Sequence, residues 1–237
     1  MADAPAYELA PNVWRIPVAS SDGINAFMLR GDDDQITLID AGLPFAWKRL
    51  EGGLKHAGVD VADVTRILVT HAHSDHVGNV EKVRKISGAP VSAHEDDARY
   101  LRAGESPPID PRMKFRPLLQ RWGRYDAVEV SDTFTDGELI DVAGGVRAIH
   151  TPGHTPGHTT YLHEPTGVLI TGDVIHFWRA QIRIGIRFFC HDITLNEISA
   201  QKLADQSPDV VAFTHGPHID ANATSRLHSF LASRVTA

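Results

Sequence analysis

The order of secondary-structure signals predicts a layered α/β (α+β) fold in which two β-sheets pack face to face with helices outside. Three observations carry that expectation. Short strand-like apolar runs fall in two groups, each followed by helical signals, so the chain reads strands, helices, strands, helices. Hydrophobic residues make up 42% of the 237 residues, enough for a substantial core. No linker composition, repeat or low-complexity segment separates the two halves, so residues 1–237 are expected to form a single domain.

The first half opens with strands at Val13–Val18, Asn25–Arg30 and Gln35–Ile39, joined by the turn-forming stretches Ser20–Gly23 and Gly31–Asp34. Phe45–Ala57 reads as a helix stopped by Gly58, although Gly52 and Gly53 weaken its interior. A strand at Thr65–Thr70 precedes a helix over His76–Ile86 with Val77, Val80 and Val83 on one stripe. Pro90–Ala93 is a short strand and Glu95–Arg102 a helix. Ala103–Pro117 is rich in proline, glycine and charge and reads as a surface excursion, closed by a short helix around Leu118–Trp122. The second half predicts strands at Ala127–Val130, Leu139–Val142, Val146–His150, Thr159–Leu162, Val168–Thr171 and Val210–Thr214. Helices are expected at Thr194–Ala204 and Asn222–Arg234.

Composition narrows the function classes. A net charge of −7 argues against a general nucleic-acid binder, which would show a basic field. One cysteine, Cys190, excludes an intrachain disulfide and any cysteine-rich zinc module. The N-terminal residues lack a basic and an apolar signal region, and no stretch approaches the ~20 apolar residues of a membrane span. The expectation is a soluble cytoplasmic protein acting on a small-molecule substrate, with no nucleic acid or membrane partner and a homodimer left open.

The chemistry concentrates in Thr70-His71-Ala72-His73-Ser74-Asp75-His76, immediately after the apolar run Ile67–Val69. Three imidazoles and one carboxylate fall within six consecutive residues, and these are ligand types that zinc, iron and manganese accept. His71 and His73 are two apart, so in extended backbone they leave on one side and can grip one metal. Asp75 and His76 reach a second metal if the backbone turns there. The bland alternative is a solvated strand-to-helix turn capped by Ser74 or Asp75. It leaves three histidines at this spacing without a reason.

Three later stretches place metal-type residues at predicted strand ends: Thr151-Pro152-Gly153-His154, Gly172-Asp173 and His215-Gly216. Each alone is ordinary turn chemistry; their shared position just past an apolar strand is the stronger signal. His158 repeats the local Pro-Gly-His pattern and competes with His154. Asp40, before Gly42, is either a turn residue or a carboxylate that orients an imidazole. His94 and His218 read as polar surface, and His56, His150, His163 and His228 carry no signal.

On these residues the chain resembles the metallo-β-lactamase-fold hydrolases over nearly its whole length. The family's His-x-His-x-Asp-His run is matched by His71, His73, Asp75 and His76. Its later positions match His154 in Thr-Pro-Gly-His, Asp173 in Thr-Gly-Asp and His215 in His-Gly, and Leu38–Gly42 resembles its early strand end. The resemblance implies an αββα sandwich, two mixed β-sheets flanked by helices, with two divalent metals at the sheet edges. It implies that His71, His73 and His154 hold one metal, that Asp75, His76 and His215 hold the other, and that Asp173 bridges. Asp40 would orient a ligand imidazole, and His158 would support the site from behind. Zinc is the expected metal, with Fe2+ and Mn2+ as alternatives.

That reading implies a hydrolase that cleaves a carbonyl ester, thioester or lactone with metal-activated hydroxide, Asp75 handling the proton. The resemblance is to the glyoxalase II-like and lactonase-like branches. Glyoxalase II enzymes append a helical C-terminal domain, whereas twenty-two residues follow His215 here. Acyl-homoserine-lactone lactonases carry a tyrosine three residues after the bridging aspartate, where this chain has His176. Persulfide dioxygenases, with one iron on two histidines and an aspartate, are the alternative from another class. Metallo-β-lactamases are a further alternative, but a bridging carboxylate is not their pattern. Finally, Phe177–Cys190 alternates Ile182, Ile184 and Ile186 with Arg183, Gly185 and Arg187. It reads either as an edge strand or as a pocket wall, with His176, Arg183 and Arg187 as candidate substrate contacts.

Overall fold

The computed structural model describes residues 4–110, 112 and 123–235. The first sheet contains β1 (Tyr7–Ala10), β2 (Val13–Pro17), β3 (Asn25–Arg30), β4 (Ile36–Ile39), β5 (Val64–Leu68), β6 (Val91–His94) and β7 (Asp132–Phe134), side by side in that order. Pairing is antiparallel up to β4 and parallel from β4 to β7. Antiparallel neighbours need only short turns, but parallel neighbours need crossovers. α1 (Trp47–His56) makes the first crossover, and α2 (Ser74–Val77) with α3 (Val80–Ser87) the second. α4 (Glu95–Ala103) lies in the third.

The second sheet contains β8 (Leu139–Ile140), β9 (Val146–His150), β10 (Thr159–His163), β11 (Val168–Ile170) and β14 (Val210–Ala212). Its order is β14-β11-β10-β9-β8, with only the β11–β14 pair parallel. A separate hairpin, β12 (Ile175–Trp178) and β13 (Gln181–Ile184), and then α5 (Ile193–Ala200) fill that crossover. α6 (Ala223–Val235) follows the last strand. Two mixed sheets flanked by helices form the expected αββα sandwich.

Alternation along the central strands explains the layers. Successive strand residues point to opposite faces, so a strand buried on both sides feeds two cores. Phe27, Leu29, Ile39 and Leu68 pack between the sheets against Tyr161, Ile170 and Ala212. Their neighbours Met28, Leu38 and Ile67 face the helices, meeting Leu50, Leu54, Val80 and Val83. On the far side Leu169 and Val211 lie beneath Leu227 and Leu231 of α6. Each buried Val, Leu, Ile, Met or Phe side chain among them contributes about 1.5–3 kcal/mol.

Several elements depart from the sequence expectation. The helix expected over His76–Ile86 is two helices, because the Asn79 side chain donates instead to the Ala41 and Leu43 carbonyls. Val77, Val80 and Val83 are nevertheless all buried. Ala127–Val130 is not a strand: the Val128 N–H donates to Leu101 at the end of α4, and the strand comes later, at Asp132–Phe134. In the expected surface excursion, Ile109 and Asp110 are buried, and the Asp110 N–H donates to the Cys190 carbonyl. The helix expected around Leu118–Trp122 lies outside the described residues. Phe177–Cys190 is not one edge strand but parts of the hairpin followed by a 3-10 turn at Arg187–Phe189. α5 stops at Ala200, continued by a 3-10 turn over Gln201–Asp205. Gly53 survives inside α1 because a Cβ there would overlap the Ile16 side chain.

Candidate metal centre

The centre begins where β4 and β5 end side by side. Asp40, just past β4, holds a left-handed backbone (φ 61°), unusual for a residue with a side chain. Its carboxylate accepts from the Thr70 N–H at 2.9 Å and the Thr70 hydroxyl at 2.6 Å, and lies 2.9 Å from His76 Nδ1. The chain leaves β5 through bends at Thr70 and Ala72, is extended at His73 and then winds into α2, which starts at Ser74. That turn carries Asp75 and His76 to the side of the cluster away from His73.

Strand ends of the second sheet supply the remaining groups. His154 follows β9, Asp173 follows β11, and His215 follows β14. Three overlapping groups of potential ligand atoms result: His71, His73 and His154; His71, His76 and Asp173; Asp75, His76 and His215. His73 Nδ1 lies 2.9 Å from His154 Nε2, and His76 Nε2 lies 3.3 Å from His215 Nε2. Asp173 stands between the two sets. Its Oδ2 is 3.3 Å from His154 Nε2 and 3.1 Å from His215 Nε2, and its Oδ1 is 3.4 Å from His76 Nε2. Asp75 Oδ2 is 3.6 Å from His76 Nε2 and 3.5 Å from His215 Nε2.

The spacings about His76, Asp75 and the His154–Asp173 pair fit metals, whereas His73–His154 at 2.9 Å and Asp173–His215 at 3.1 Å stand at hydrogen-bond distance. Ligand atoms about 2.0–2.1 Å from a tetrahedral ion stand roughly 3.3–3.5 Å apart, longer than a hydrogen bond needs. His71 Nε2 is buried without a hydrogen-bond partner, a costly state that a cation at the cluster would relieve. Tautomers are prepared as well. The Nδ1 atoms of His71, His76 and His215 lie against Thr70 Oγ1 (3.0 Å), Asp40 Oδ2 (2.9 Å) and the Gly23 carbonyl (2.6 Å), leaving each Nε2 to face inward.

Charges in the cluster ask for a cation. Burial opposes the positive form of His76, but Asp173, Asp75 and Asp40 outweigh it and raise its pKa to about 10. His215 rises to about 9 against the same burial, through Asp173 and Asp75. Burial holds His71 and His154 well below the ordinary histidine range and brings His73 to about 4. The Asp173 carboxyl stays well below its usual range, because His215, His76 and His154 overcome its burial.

Supporting residues lie one layer out. His158 Nε2 accepts from the Asp173 N–H at 2.7 Å, and its Nδ1 is 2.8 Å from Thr151 Oγ1. The Thr214 hydroxyl donates to Asp173 Oδ1 at 2.7 Å. Sequence reasoning missed Asp97, a buried carboxylate that accepts from Ala72 N–H (2.9 Å), Thr155 Oγ1 (2.7 Å) and Gly157 N–H (2.7 Å). It thereby ties the His71–His73 turn to the loop that carries His154. Its only sequence signal, an acidic first turn of a helix, is common. Also missed was Asn25, whose amide donates to the Phe213 and Gly216 carbonyls around His215 at 2.9 and 2.8 Å. The buried Arg15 donates to the Asn25 Oδ1 at 3.0 Å and pairs with Asp22 at 2.8 Å.

A cavity of about 850 Å³ opens over the cluster, lined by Asp75, His154, Asp173 and His215 together with His176 and a largely apolar wall. Arg183 and Arg187 are not among its lining residues, and Arg183 donates to Gln181 Oε1 at 3.1 Å. His94 is not surface, as expected, but buried and stacked on His150, with ring centroids 3.8 Å apart. Asp96 joins that pair in a further group of potential ligand atoms. His218 is half-buried, and its Nδ1 lacks a hydrogen-bond partner.

A family model described as the Metallo-beta-lactamase superfamily matches residues 21–215. The chain is similar to the uncharacterized protein YobT of Bacillus subtilis, 31% identical over 81% of this chain and 83% of that one. It is also similar to the probable metallo-hydrolase YybB of the same organism, 26% identical over 79% of each. Among solved structures, the metallo-beta-lactamase family protein TTHA1429 of Thermus thermophilus superposes with a TM-score of 0.72 at 25% identity, covering 97% of this chain and 81% of that one. No helix among the described residues is long and apolar enough to cross a membrane.

Proposed function

The chain belongs to the metallo-beta-lactamase superfamily and is a metal-dependent hydrolase of that fold, and we propose that it cleaves a carbonyl ester, thioester or lactone at a dinuclear centre, with zinc as the expected metal. The observation that carries this reading is Asp173, whose carboxylate reaches histidines on both sides of the cluster. In this reading His71, His73 and His154 would hold one ion and Asp75, His76 and His215 the other, with Asp173 shared between them. Because these residues come from both halves, residues 1–237 act as one domain on a small-molecule substrate.

When bound, the ions supply Lewis acidity and a hydroxide at neutral pH. The protein's own groups do the rest. Asp40, Thr70 and the Gly23 carbonyl hold three imidazoles in one tautomer. Asp75 is partly exposed and lines the cavity, so its carboxylate takes the proton released on attack and returns it to the leaving oxygen or sulfur. His176 is kept below the ordinary histidine range by burial and so lines the cavity as a neutral imidazole. It stands where a substrate carbonyl or leaving group can accept from it.

The test pairs elemental analysis of protein purified without added metal with a thioester and lactone hydrolysis screen. About two zincs per chain are expected, with activity abolished by a chelator and by His71→Ala. One iron per chain with oxygen consumption on glutathione persulfide would overturn the reading.

A further inference from the structure

The cavity wall facing the cluster is more apolar than the fold requires. Trp178, Ile186 and Phe189 are 59%, 51% and 47% exposed, although each is a large hydrophobic residue. All three line the cavity, Trp178 from the end of β12 and the other two from the turn after β13. Ile24, Leu43 and Ile109 line it as well. Scattered exposed hydrophobics need no reason, but a contiguous set beside a reactive centre marks a ligand surface. The hairpin's own isoleucines, Ile175, Ile182 and Ile184, pack against the core, whereas Ile186, past the end of β13, lines the cavity. Charge is sparse along this wall. Among the described residues, Arg179 is the one arginine or lysine that lines the cavity, so the described wall offers an anionic chain little to neutralise it away from the centre.

We propose that the substrate carries a long, uncharged apolar chain that lies along Trp178, Ile186 and Phe189 while its ester, thioester or lactone carbonyl reaches the metal cluster. This rests on the hydrolase reading above and adds the class of substrate. For a lactone, the acyl C–O bond breaks, water adds across it and a hydroxy acid leaves; the chain itself is unchanged. A cavity of about 850 Å³ is ample for an eight-carbon chain.

The experiment has two arms. The first measures kcat/KM on γ-lactones with side chains from methyl to octyl. A fully buried methylene multiplies affinity about threefold to fourfold, so partial burial predicts a rise of roughly a hundredfold across the series. The second needs no turnover: calorimetric binding of 2-pentanone, 2-decanone and 9-oxodecanoate to the metal-free and the zinc-loaded protein. We expect 2-decanone to bind at least about thirtyfold more tightly than 2-pentanone, and more tightly than 9-oxodecanoate. In the double variant Trp178→Ala, Phe189→Ala that preference should fall about tenfold or more, and both residues are exposed enough for the variant to fold. Binding independent of chain length, or tighter for 9-oxodecanoate, would overturn the proposal whatever the hydrolysis data show. Chain-dependent ketone binding with no lactone or thioester cleaved would uphold the apolar subsite and remove the esterase and lactonase reading instead.

Discussion

Asp40 Oδ2 lies 2.9 Å from His76 Nδ1, and both side chains are completely buried. A carboxylate so placed holds the imidazole with Nε2 toward the cluster and strengthens it as a donor to a cation. Asp40→Asn keeps the shape but loses the charge. It is expected to weaken metal binding at the Asp75–His76–His215 side by about 10–100-fold, measured by competition with a chromogenic chelator. Unchanged affinity would assign Asp40 to the turn alone.

Gly153 precedes His154 with φ 128°, and a Cβ there would overlap the Asn196 backbone nitrogen in α5. Gly153→Ala should destabilise the protein by about 2 kcal/mol or more, read by urea unfolding. Because His154 moves with that loop, metal content should fall below that of the parent protein.

Asn25→Ala removes donors from the Phe213 and Gly216 carbonyls and the acceptor of Arg15. Unpaired buried groups cost about 1–3 kcal/mol each, so a loss of roughly 2–4 kcal/mol is expected. Activity should drop further than global stability explains, since His215 sits between those two carbonyls. Activity that simply tracks the folded fraction would contradict that placement.

His94 Nδ1 accepts from the Asp96 N–H at 3.2 Å, and burial followed by the neighbouring His150 lowers its pKa to about 4. Its folded pKa lies below the unfolded value of 6.5, so the neutral form favours the native state. That stability is present above pH 6.5 and is lost as pH falls from 6.5 toward 4. His94→Asn keeps an acceptor without titrating. The stability gap between parent and variant should therefore shift in the variant's favour across that window, measured by thermal unfolding at each pH. A constant gap would show that His94 does not titrate there.

The residues most legible in the sequence were those whose chemistry is dense and local. His71, His73, Asp75 and His76 lie within one turn, and His154, Asp173 and His215 each follow a strong apolar strand. The sandwich followed from the same alternation that splits Phe27 and Leu29 from Met28 between two cores. Less legible was anything decided by a distant partner. Asp97 resembles an ordinary helix-start carboxylate until the loop of Thr155 and Gly157 folds over it. The break between α2 and α3 depends on carbonyls of residues 41 and 43. Ala127–Val130 has strand-like composition, but its N–H bonds to a helix end. Arg183 alternates with isoleucines in a way that suggested a pocket wall, whereas the side chains that line the cavity are Trp178, Ile186 and Phe189.

The amide of Asn25 reaches carbonyls 188 and 191 residues further along the chain, where His215 is set. At a synthesis rate of about 5–20 residues per second, the partners of that contact emerge roughly ten to forty seconds apart. His71 to His76 lie about 140 residues before His215 and wait roughly seven to thirty seconds for it. The two sides of the cluster therefore gain their last residues at different times, His154 for one and His215 for the other. A chain that stops just short of residue 215 carries the His71–His73–His154 group and Asp173 but leaves the Asp75–His76 side without its third residue.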